Sequence, residues 1–247
     1  MILDPFFYAL AIPAVLITAI SKGGFGGGLG MLGVPMLAFA VSPQQAASIM
    51  LPILCLMDLV GLWSFRGRFH LHSLRTLIPA ALAGITIGAL TFKYFTEDHI
   101  RLIVGLIAVS FALNFWLKPK NLAAKKPSTL AGSFWGTIAG FTSFGVHAGG
   151  APLNAYLLPL KLPKQEYAAT SIIFFASINY IKLIPYTWLG QFDRTTLTTS
   201  AALAILAPIG VLIGVKLHHK ISDKWFYHIC YFLLFLMGSK LLFDAMS

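Results

Sequence analysis

Long apolar stretches separated by short polar loops dominate the hydrophobic pattern of this chain. Six of them approach or exceed the roughly 20 residues that a helix needs to cross a bilayer core. They cover residues 43–65, 73–95, 98–117, 164–189, 195–217 and 224–244. A soluble helical protein would need charged faces at helical period, and these stretches have none. The pattern therefore predicts an all-α polytopic membrane protein.

The composition of the chain supports this prediction. Apolar residues make up 57% and charged residues 11% of the sequence, whereas a soluble domain carries roughly 25% charged residues. A net charge of +10 would suggest nucleic-acid binding in a soluble protein. Here the cations lie in short loops between apolar segments, where they orient a protein in the membrane. We therefore expect a lipid bilayer around the chain and no nucleic-acid partner.

Two further apolar regions, 5–41 and 129–160, are interrupted by dense glycine. The interruptions lie at residues 21–28 and 142–150. Glycine at this density cannot hold a continuous helix. Backbone freed at membrane depth is tolerated only where protein or a water-filled cavity satisfies its polar groups. The two breaks are therefore predicted to face a cavity.

The two halves of the sequence resemble each other. Matching motifs are Gly33-Val34-Pro35 with Gly150-Ala151-Pro152, Gly67-Arg68-Phe69 with Gly190-Gln191-Phe192, and the G-x-x-x-G pair Gly84/Gly88 with Gly210/Gly214. The G-x-x-x-G spacing is suited to close helix packing. The recurrence predicts an internal duplication, with a first repeat at 1–117, a basic linker at 118–128 and a second repeat at 129–247.

The distribution of cations predicts how the repeats are oriented. Loops 66–75 and 118–128 are rich in Lys and Arg, which places them in the cytoplasm by the positive-inside rule. In the second half the loop equivalent to the first of these, 190–194, is poor in cations, and 216–224 is rich in them. This pattern favours two inverted repeats, each with a glycine-broken helical hairpin plus three full transmembrane helices. Parallel repeats of eight full crossings are the alternative.

Inverted repeats with interrupted helices are the architecture of many secondary transporters. A helix that begins inside the membrane presents unpaired N–H groups and a positive partial charge, which favour an anion. The second short helices are expected to begin near residues 28–30 and 148–150. Lys22 adds a cation inside the first break, where a charge normally faces a partner or a pathway. The alternative for Lys22 is to snorkel to a membrane surface.

Both breaks supply candidate contacts for a small anion. In the first break we predict substrate binding by Lys22 and by glycines that let a ligand approach the backbone: Gly24, Gly26, Gly27 and Gly28. The second break contributes the backbone at Gly149 and the hydrogen-bond donors Ser143, His147 and Asn154.

Asp58 is an acid inside a long apolar segment of the first half, and Asn179 falls near the equivalent place in the second. Asp58 could neutralise Lys22 in the empty carrier, carry a coupling proton, or pair locally. His147 is a second candidate for coupling. Lys182, about two turns before Gly190, is expected to snorkel outward.

No enzymatic constellation occurs in the sequence. It lacks metal-ligand spacing of His and Cys, a G-x-S-x-G motif, a Walker-type phosphate loop and paired carboxylates. We therefore predict that the protein is not an enzyme, uses no cofactor, and takes no energy from ATP within this chain.

The run Ser21-Lys22-Gly23-Gly24-Phe25-Gly26-Gly27-Gly28-Leu29-Gly30, followed by Val34-Pro35, resembles the opening signature of the TauE/SafE family. This family is also called the sulfite exporter or toluene-sulfonate uptake permease family. Gly149-Gly150-Ala151-Pro152 and Gly190-Gln191-Phe192 resemble its repeat. The resemblance implies export or exchange of sulfite, sulfonates such as sulfoacetate, or related organosulfur anions in a bacterial inner membrane, coupled to an ion gradient. Protons are a candidate coupling ion, and a homodimer is an open alternative.

Three function classes follow from these observations. The first is an alternating-access carrier for a small sulfur oxyanion, with Lys22 and two helix N-termini as ligands. The second is a passive anion channel. A membrane scaffold without transport is the third, and it would leave Lys22 without a purpose.

Overall fold

The computed structural model of the chain describes residues 1–25, 30, 32–67, 69–91, 97–117 and 124–246. In these ranges every regular element is a helix, as the sequence predicts. The α-helices are α1 Pro5–Lys22, α2 Gly33–Leu37, α3 Pro43–Ser64, α4 Leu71–Thr91, α5 Glu97–Leu117, α6 Thr129–Val146, α7 Gly150–Leu157, α8 Lys164–Trp188, α9 Arg194–Ala204, α10 Leu206–Lys220 and α11 Asp223–Met246. A short 3₁₀-helix, Leu158–Leu160, follows α7.

Side-chain caps fix where several helices begin. Asp4, Ser42 and Ser128 accept hydrogen bonds from backbone N–H groups in the first turns of α1, α3 and α6. Asp193 caps α9 through the N–H of Thr196, at 2.6 Å. This bond lowers the pKa of the Asp193 carboxyl because it stabilises the charged form. Each cap satisfies an N–H group that has no partner inside its helix.

The helices confirm a multi-pass membrane protein. Four of them, α1, α3, α4 and α8, are long and apolar enough to span a bilayer within the described residues, or five spans if α9 and α10 count as one. The apolar stretch predicted at 195–217 forms two helices, α9 and α10, which are bent by 42° relative to one another. Pro208 explains the bend, since it cannot donate a hydrogen bond to the carbonyl of Ala204, where α9 ends.

Both glycine-rich regions break the helix, as predicted. α6 ends where His147 adopts a left-handed conformation with φ 54°, and α7 begins at Gly150 as expected. α2 begins at Gly33, later than the predicted 28–30, and has only five residues. A helix this short has little macrodipole, so its N-terminus is a weaker anion site than we expected.

The G-x-x-x-G glycines allow close helix packing, which confirms their predicted role. A Cβ atom at Gly84 would collide with the Thr137 carbonyl on α6, and one at Gly214 would collide with the Ile20 carbonyl on α1. The backbones of α4 and α6 therefore touch, as do those of α10 and α1. The glycine motif that occurs in both halves of the sequence therefore makes the same kind of contact in each.

The contacts also give the direction of each pair. Gly132 and Gly140 of α6 lie against Thr76 and Ala81 of α4, in the same order along both helices. In the other pair, Ala19 of α1 lies against Gly210, and Gly24 just beyond α1 lies against His218. The helices of each pair therefore run parallel to one another.

Three loops meet at one end of the bundle, which we call the basic end: residues 64–67, 159–166 and 218–221. Lys164 Nζ donates to the carbonyl of His218 at 3.1 Å and to that of Ile221. The backbone N–H of Lys125 donates to the Pro159 carbonyl at 3.0 Å. Consequently α3 and α10 end at the basic end, whereas α4 and α8 begin there.

Candidate functional site

Lys22 lies in the interior of the bundle, so the snorkelling alternative is wrong. It is the last residue of α1, its exposure is 7%, and its Nζ lies 2.5 Å from Asp58 Oδ1 on α3. Asn179 Nδ2, on α8, donates to Asp58 Oδ2 at 2.6 Å. The ammonium also lies 5.3 Å from the ring centroid of Phe175, within cation–π range. We call Lys22, Asp58 and Asn179 the Lys22 cluster.

A second buried lysine lies on α8, and its predicted outward orientation is wrong. Lys182 is fully buried. Its Nζ donates to the Ser143 carbonyl at 2.9 Å, to Ser143 Oγ at 3.0 Å and to His147 Nδ1 at 2.7 Å. These three acceptors match the three hydrogens of an ammonium group. We call Lys182, Ser143 and His147 the Lys182 cluster.

The sequence did contain a signal for Lys182. The residue follows Asn179 by three positions on one helix, so both side chains project from the same face of α8. Because Asn179 and Asp58 are both buried, this spacing favours the buried face for Lys182, contrary to the outward orientation that we predicted. α8 packs against both α3 and α4, and this double contact leaves Lys182 no route to a membrane surface.

His147 connects the second break to α3. Its Nε2 lies 3.0 Å from the Ala47 carbonyl and its Nδ1 lies 3.1 Å from the Ser143 carbonyl. Because the Lys182 ammonium beside Nδ1 can only donate, we assign the ring hydrogen to Nε2. Nδ1 is then the acceptor for Lys182, and the ring is neutral. The imidazole also stacks on Tyr186, with ring centroids 6.1 Å apart.

A small cavity lies between the two clusters. Its lining residues are Lys22, Gly30, Leu54, Ser143, His147, Phe175 and Asn179. The space available to the centre of a water molecule is about 20 Å³, which corresponds to about one water molecule. The cavity therefore brings together Lys22 of the first break and Ser143 and His147 of the second, as the sequence predicts.

Other predicted ligands lie away from the lining of this cavity. Gly24 packs against α10, and its carbonyl accepts from His218 Nδ1 at 2.9 Å. Gly149 packs against α6, where a Cβ atom would lie 2.8 Å from the Ala139 carbonyl. Asn154 is buried and its Oδ1 accepts from Tyr167 at 2.5 Å. A role in substrate binding remains a prediction for these three residues.

The three remaining glycines of the first break, Gly26, Gly27 and Gly28, lie outside the described residues. Gly30, two residues after this break, is a described glycine that lines the cavity.

The charges in the interior do not balance. Among the described residues, the buried Lys, Arg, Asp and Glu side chains are Lys22, Lys182 and Asp58. Two lysines therefore face one carboxylate, and with both lysines protonated the interior has an excess positive charge. A buried charge without a counter-charge is strongly unfavourable, so such a site favours a bound anion. The described residues contain no group of three His, Cys, Asp or Glu that could hold a metal ion.

Comparison with known families agrees with this geometry. The family model described as sulfite exporter TauE/SafE matches residues 11–241. This chain belongs to the TauE/SafE family. The resemblance found in the sequence is thereby confirmed, and the matched TauE/SafE region includes both breaks and both clusters. TauE/SafE proteins are transporters, not enzymes. No curated protein and no solved structure matched the chain.

Proposed function

We propose that this TauE/SafE protein is a secondary transporter that moves a small sulfur-containing anion, such as sulfite, a sulfonate or sulfoacetate, across the bacterial inner membrane by alternating access. The observation that carries the proposal is the excess positive charge around the cavity. Lys182 donates only to neutral acceptors, and in the described part of the chain no carboxylate lies within ion-pair distance of it. A bound anion supplies the missing charge.

The same proposal includes two inverted repeats, 1–117 and 129–247, joined by the basic linker 118–128. It is supported by helix direction, because α3 ends at the basic end where its counterpart α8 begins. α1 runs parallel to α10, towards the basic end, whereas its counterpart α6 runs parallel to α4, away from it. With the basic end in the cytoplasm, α1 with α2 and α6 with α7 are re-entrant hairpins.

The open space at the two ends of the bundle differs in size. At the basic end a groove with about 510 Å³ of free space is lined by residues of the loops 64–67 and 163–169 and by His219. Towards the opposite end, a space of about 10 Å³ lies among Gln44, Phe144 and Tyr186. This asymmetry supports a conformation in which the substrate enters or leaves through the cytoplasmic groove.

Asp58 is the proposed coupling residue. In the empty protein it neutralises Lys22 through the ion pair described above. An arriving anion competes with Asp58 for the same ammonium group, and a carboxylate that has lost its cation binds a proton more readily. When the anion binds Lys22, Asp58 binds a proton. Transport of the anion would thereby be coupled to the proton gradient.

The test is anion-induced stabilisation of the purified protein. The melting temperature is measured with sulfite, sulfate, thiosulfate, taurine and sulfoacetate for the wild type, Lys22→Ala and the exposed control Lys216→Ala. A ligand that binds only the folded protein raises its melting temperature. We expect a sulfur anion to stabilise the wild type and Lys216→Ala but not Lys22→Ala. Equal stabilisation of all three proteins would remove Lys22 from the site.

A passive anion channel is the alternative function. The small cavity between the clusters favours a carrier, because a channel needs a continuous path. In liposomes preloaded with sulfite, a carrier shows saturable uptake and counterflow of labelled sulfite. Conductance that rises in proportion to voltage, without counterflow, would establish the channel instead.

A further inference from the structure

We propose that Lys182 is a positioning residue that turns Ser143 into a fixed hydrogen-bond donor towards the cavity and holds His147 in one tautomer. The inference rests on the proposed anion site and adds a residue that determines how the site recognises an anion. Lys182 does not line the cavity itself. It acts through Ser143 and His147, both of which do.

The hydrogen bonds of Ser143 carry the first step. Serine and threonine side chains inside helices commonly donate to the carbonyl four residues earlier. Thr137 and Thr142 of α6 do this, at 2.9 Å and 2.8 Å. Ser143 instead accepts from Lys182 through Oγ, at 3.0 Å, and within the described residues its hydroxyl hydrogen has no protein acceptor.

This arrangement leaves the Ser143 hydroxyl hydrogen available to the cavity. An ammonium group that donates to Oγ increases the partial positive charge on the hydroxyl hydrogen, because chained hydrogen bonds polarise one another. The hydroxyl thus becomes a donor that transmits part of the Lys182 charge to the cavity. Lys22 approaches the same cavity from the first break, so an anion between them meets a donor on each side.

His147 gives the second step. Lys182 occupies Nδ1, and the hydrogen on Nε2 is directed at the Ala47 carbonyl on α3. The tautomer therefore links the second break to α3. Without Lys182, Nδ1 could carry the hydrogen and donate to the Ser143 carbonyl, 3.1 Å away. The lysine thus decides which of two hydrogen-bond patterns the break adopts.

The chemical consequence is a preference for ligand atoms that accept hydrogen bonds. At Ser143 the site offers a donor, and an unprotonated oxygen of an oxyanion accepts from it more strongly than a neutral ligand hydroxyl does. The ligand class is an oxyanion whose charge is shared over several oxygens, since such a group accepts from Lys22 and Ser143 simultaneously.

The first experiment reads the tautomer directly and does not depend on transport. Nitrogen NMR of histidine-labelled full-length protein, with His147→Gln to assign the signal, distinguishes a protonated Nε2 from a protonated Nδ1. In the wild type we expect hydrogen on Nε2 and a hydrogen-bonded, unprotonated Nδ1. In Lys182→Met we expect a population with hydrogen on Nδ1. A wild-type spectrum with hydrogen on Nδ1 overturns the proposal, even if Lys182→Met does not fold.

The second experiment is a double-mutant cycle with sulfite as the probe and the dissociation constant as the readout. Ser143→Ala should weaken sulfite binding by about tenfold to a hundredfold in the wild type, the range for a hydrogen bond to a charged group. In Lys182→Met the same change should cost less than about threefold, because residues that act together are not additive. Thr137→Val, which removes an exposed hydroxyl from the same helix, should leave binding unchanged.

The outcomes separate this inference from the proposed function. If Ser143→Ala weakens binding equally with and without Lys182, the lysine does not act through Ser143 and the inference is wrong. If sulfite does not bind the wild type at all, that part of the proposed function fails, and the histidine spectrum still decides the role of Lys182.

Discussion

The Lys22 and Lys182 clusters solve the same physical problem differently. In each, the polar partners of a buried lysine include groups on another helix. Lys22 has a carboxylate at 2.5 Å, whereas Lys182 has two oxygens and a ring nitrogen, all neutral. The first cluster contains a cation and its counter-charge, whereas among the described residues the second has no carboxylate within ion-pair distance.

The difference lies in which helix carries the cation in each half of the sequence. In the first half the cation lies at the end of the broken helix and its partner on the long helix α3. In the second half the cation lies on the long helix α8, and its partners, Ser143 and His147, lie at the broken helix. The roles are exchanged, so the cavity between the clusters is lined by the cation of the first cluster, Lys22, and by the neutral partners of the second, Ser143 and His147.

The largest expected effect comes from removing the carboxylate. Asp58→Asn leaves Lys22 without a counter-charge near Lys182, and breaking a buried ion pair costs about 3–5 kcal/mol. We expect a large fall in melting temperature, partly reversed by sulfite, which replaces the lost charge.

The matched control for this prediction is the double variant Asp58→Asn with Lys22→Met. Removing both partners leaves no unpaired charge, so its stability should recover towards that of the wild type. If Asp58→Asn alone melts at the wild-type temperature, Lys22 does not depend on its carboxylate partner, and this difference between the two clusters is not important for stability.

Lys182→Met should affect binding far more than stability. The variant loses three hydrogen bonds but also loses a buried charge without a counter-charge, and these effects oppose each other. Sulfite binding should weaken by about tenfold to a hundredfold, the range for a hydrogen bond to a charged group. Titration calorimetry of Lys182→Met beside the exposed Lys216→Met measures this, and unchanged affinity would make the lysine purely structural.

Glycine substitutions can disturb one cluster at a time. Gly214→Ala places a Cβ atom against the Ile20 carbonyl and displaces α1, which carries Lys22; Gly140→Ala does the same to α6 through the Ala81 carbonyl. Overpacking of this kind costs about 1–3 kcal/mol. Thermal melting should show a fall for both, while Gly67→Ala, with nothing within 4 Å of the added atom, serves as the control.

The smallest expected effect is the pH-dependent contribution of Asp193, the N-cap of α9, to stability. The pKa of Asp193 is lowered by its hydrogen bond from Thr196, so its carboxylate stabilises the folded state above its unfolded pKa, about 3.9. That contribution is lost as the pH falls through the lower, folded value. Asp193→Ala should melt slightly below the wild type at neutral pH and equal to it in strong acid. A difference that persists in acid would contradict the assignment.

Much of the fold could be predicted from local sequence. Hydropathy located the helices, because a segment that crosses lipid must be apolar along its whole length. Dense glycine located the breaks, since it removes helix propensity wherever it occurs. The spacing of Gly84 and Gly88 and of Gly210 and Gly214 predicted close packing, because four residues bring two glycines onto one helix face.

The site was predicted only in part. Lys22, Ser143 and His147 were found because a polar residue beside a break is conspicuous in an apolar sequence. Gly24 packs against α10, and its predicted contact with substrate stays a prediction. Glycine composition alone cannot distinguish the approach of a ligand from the approach of another helix, since both need the same missing side chain.

The sequence by itself determined that this chain is a helical membrane protein of the TauE/SafE family with two broken helices and a cation in the first break. Only the tertiary structure decided that Lys22 pairs with Asp58, that Lys182 is buried, and that the two clusters share one cavity. The reason is physical. Hydropathy and helix breaking depend on neighbours along the chain, whereas the environment of a buried charge depends on groups that folding brings within about 3–4 Å from distant positions.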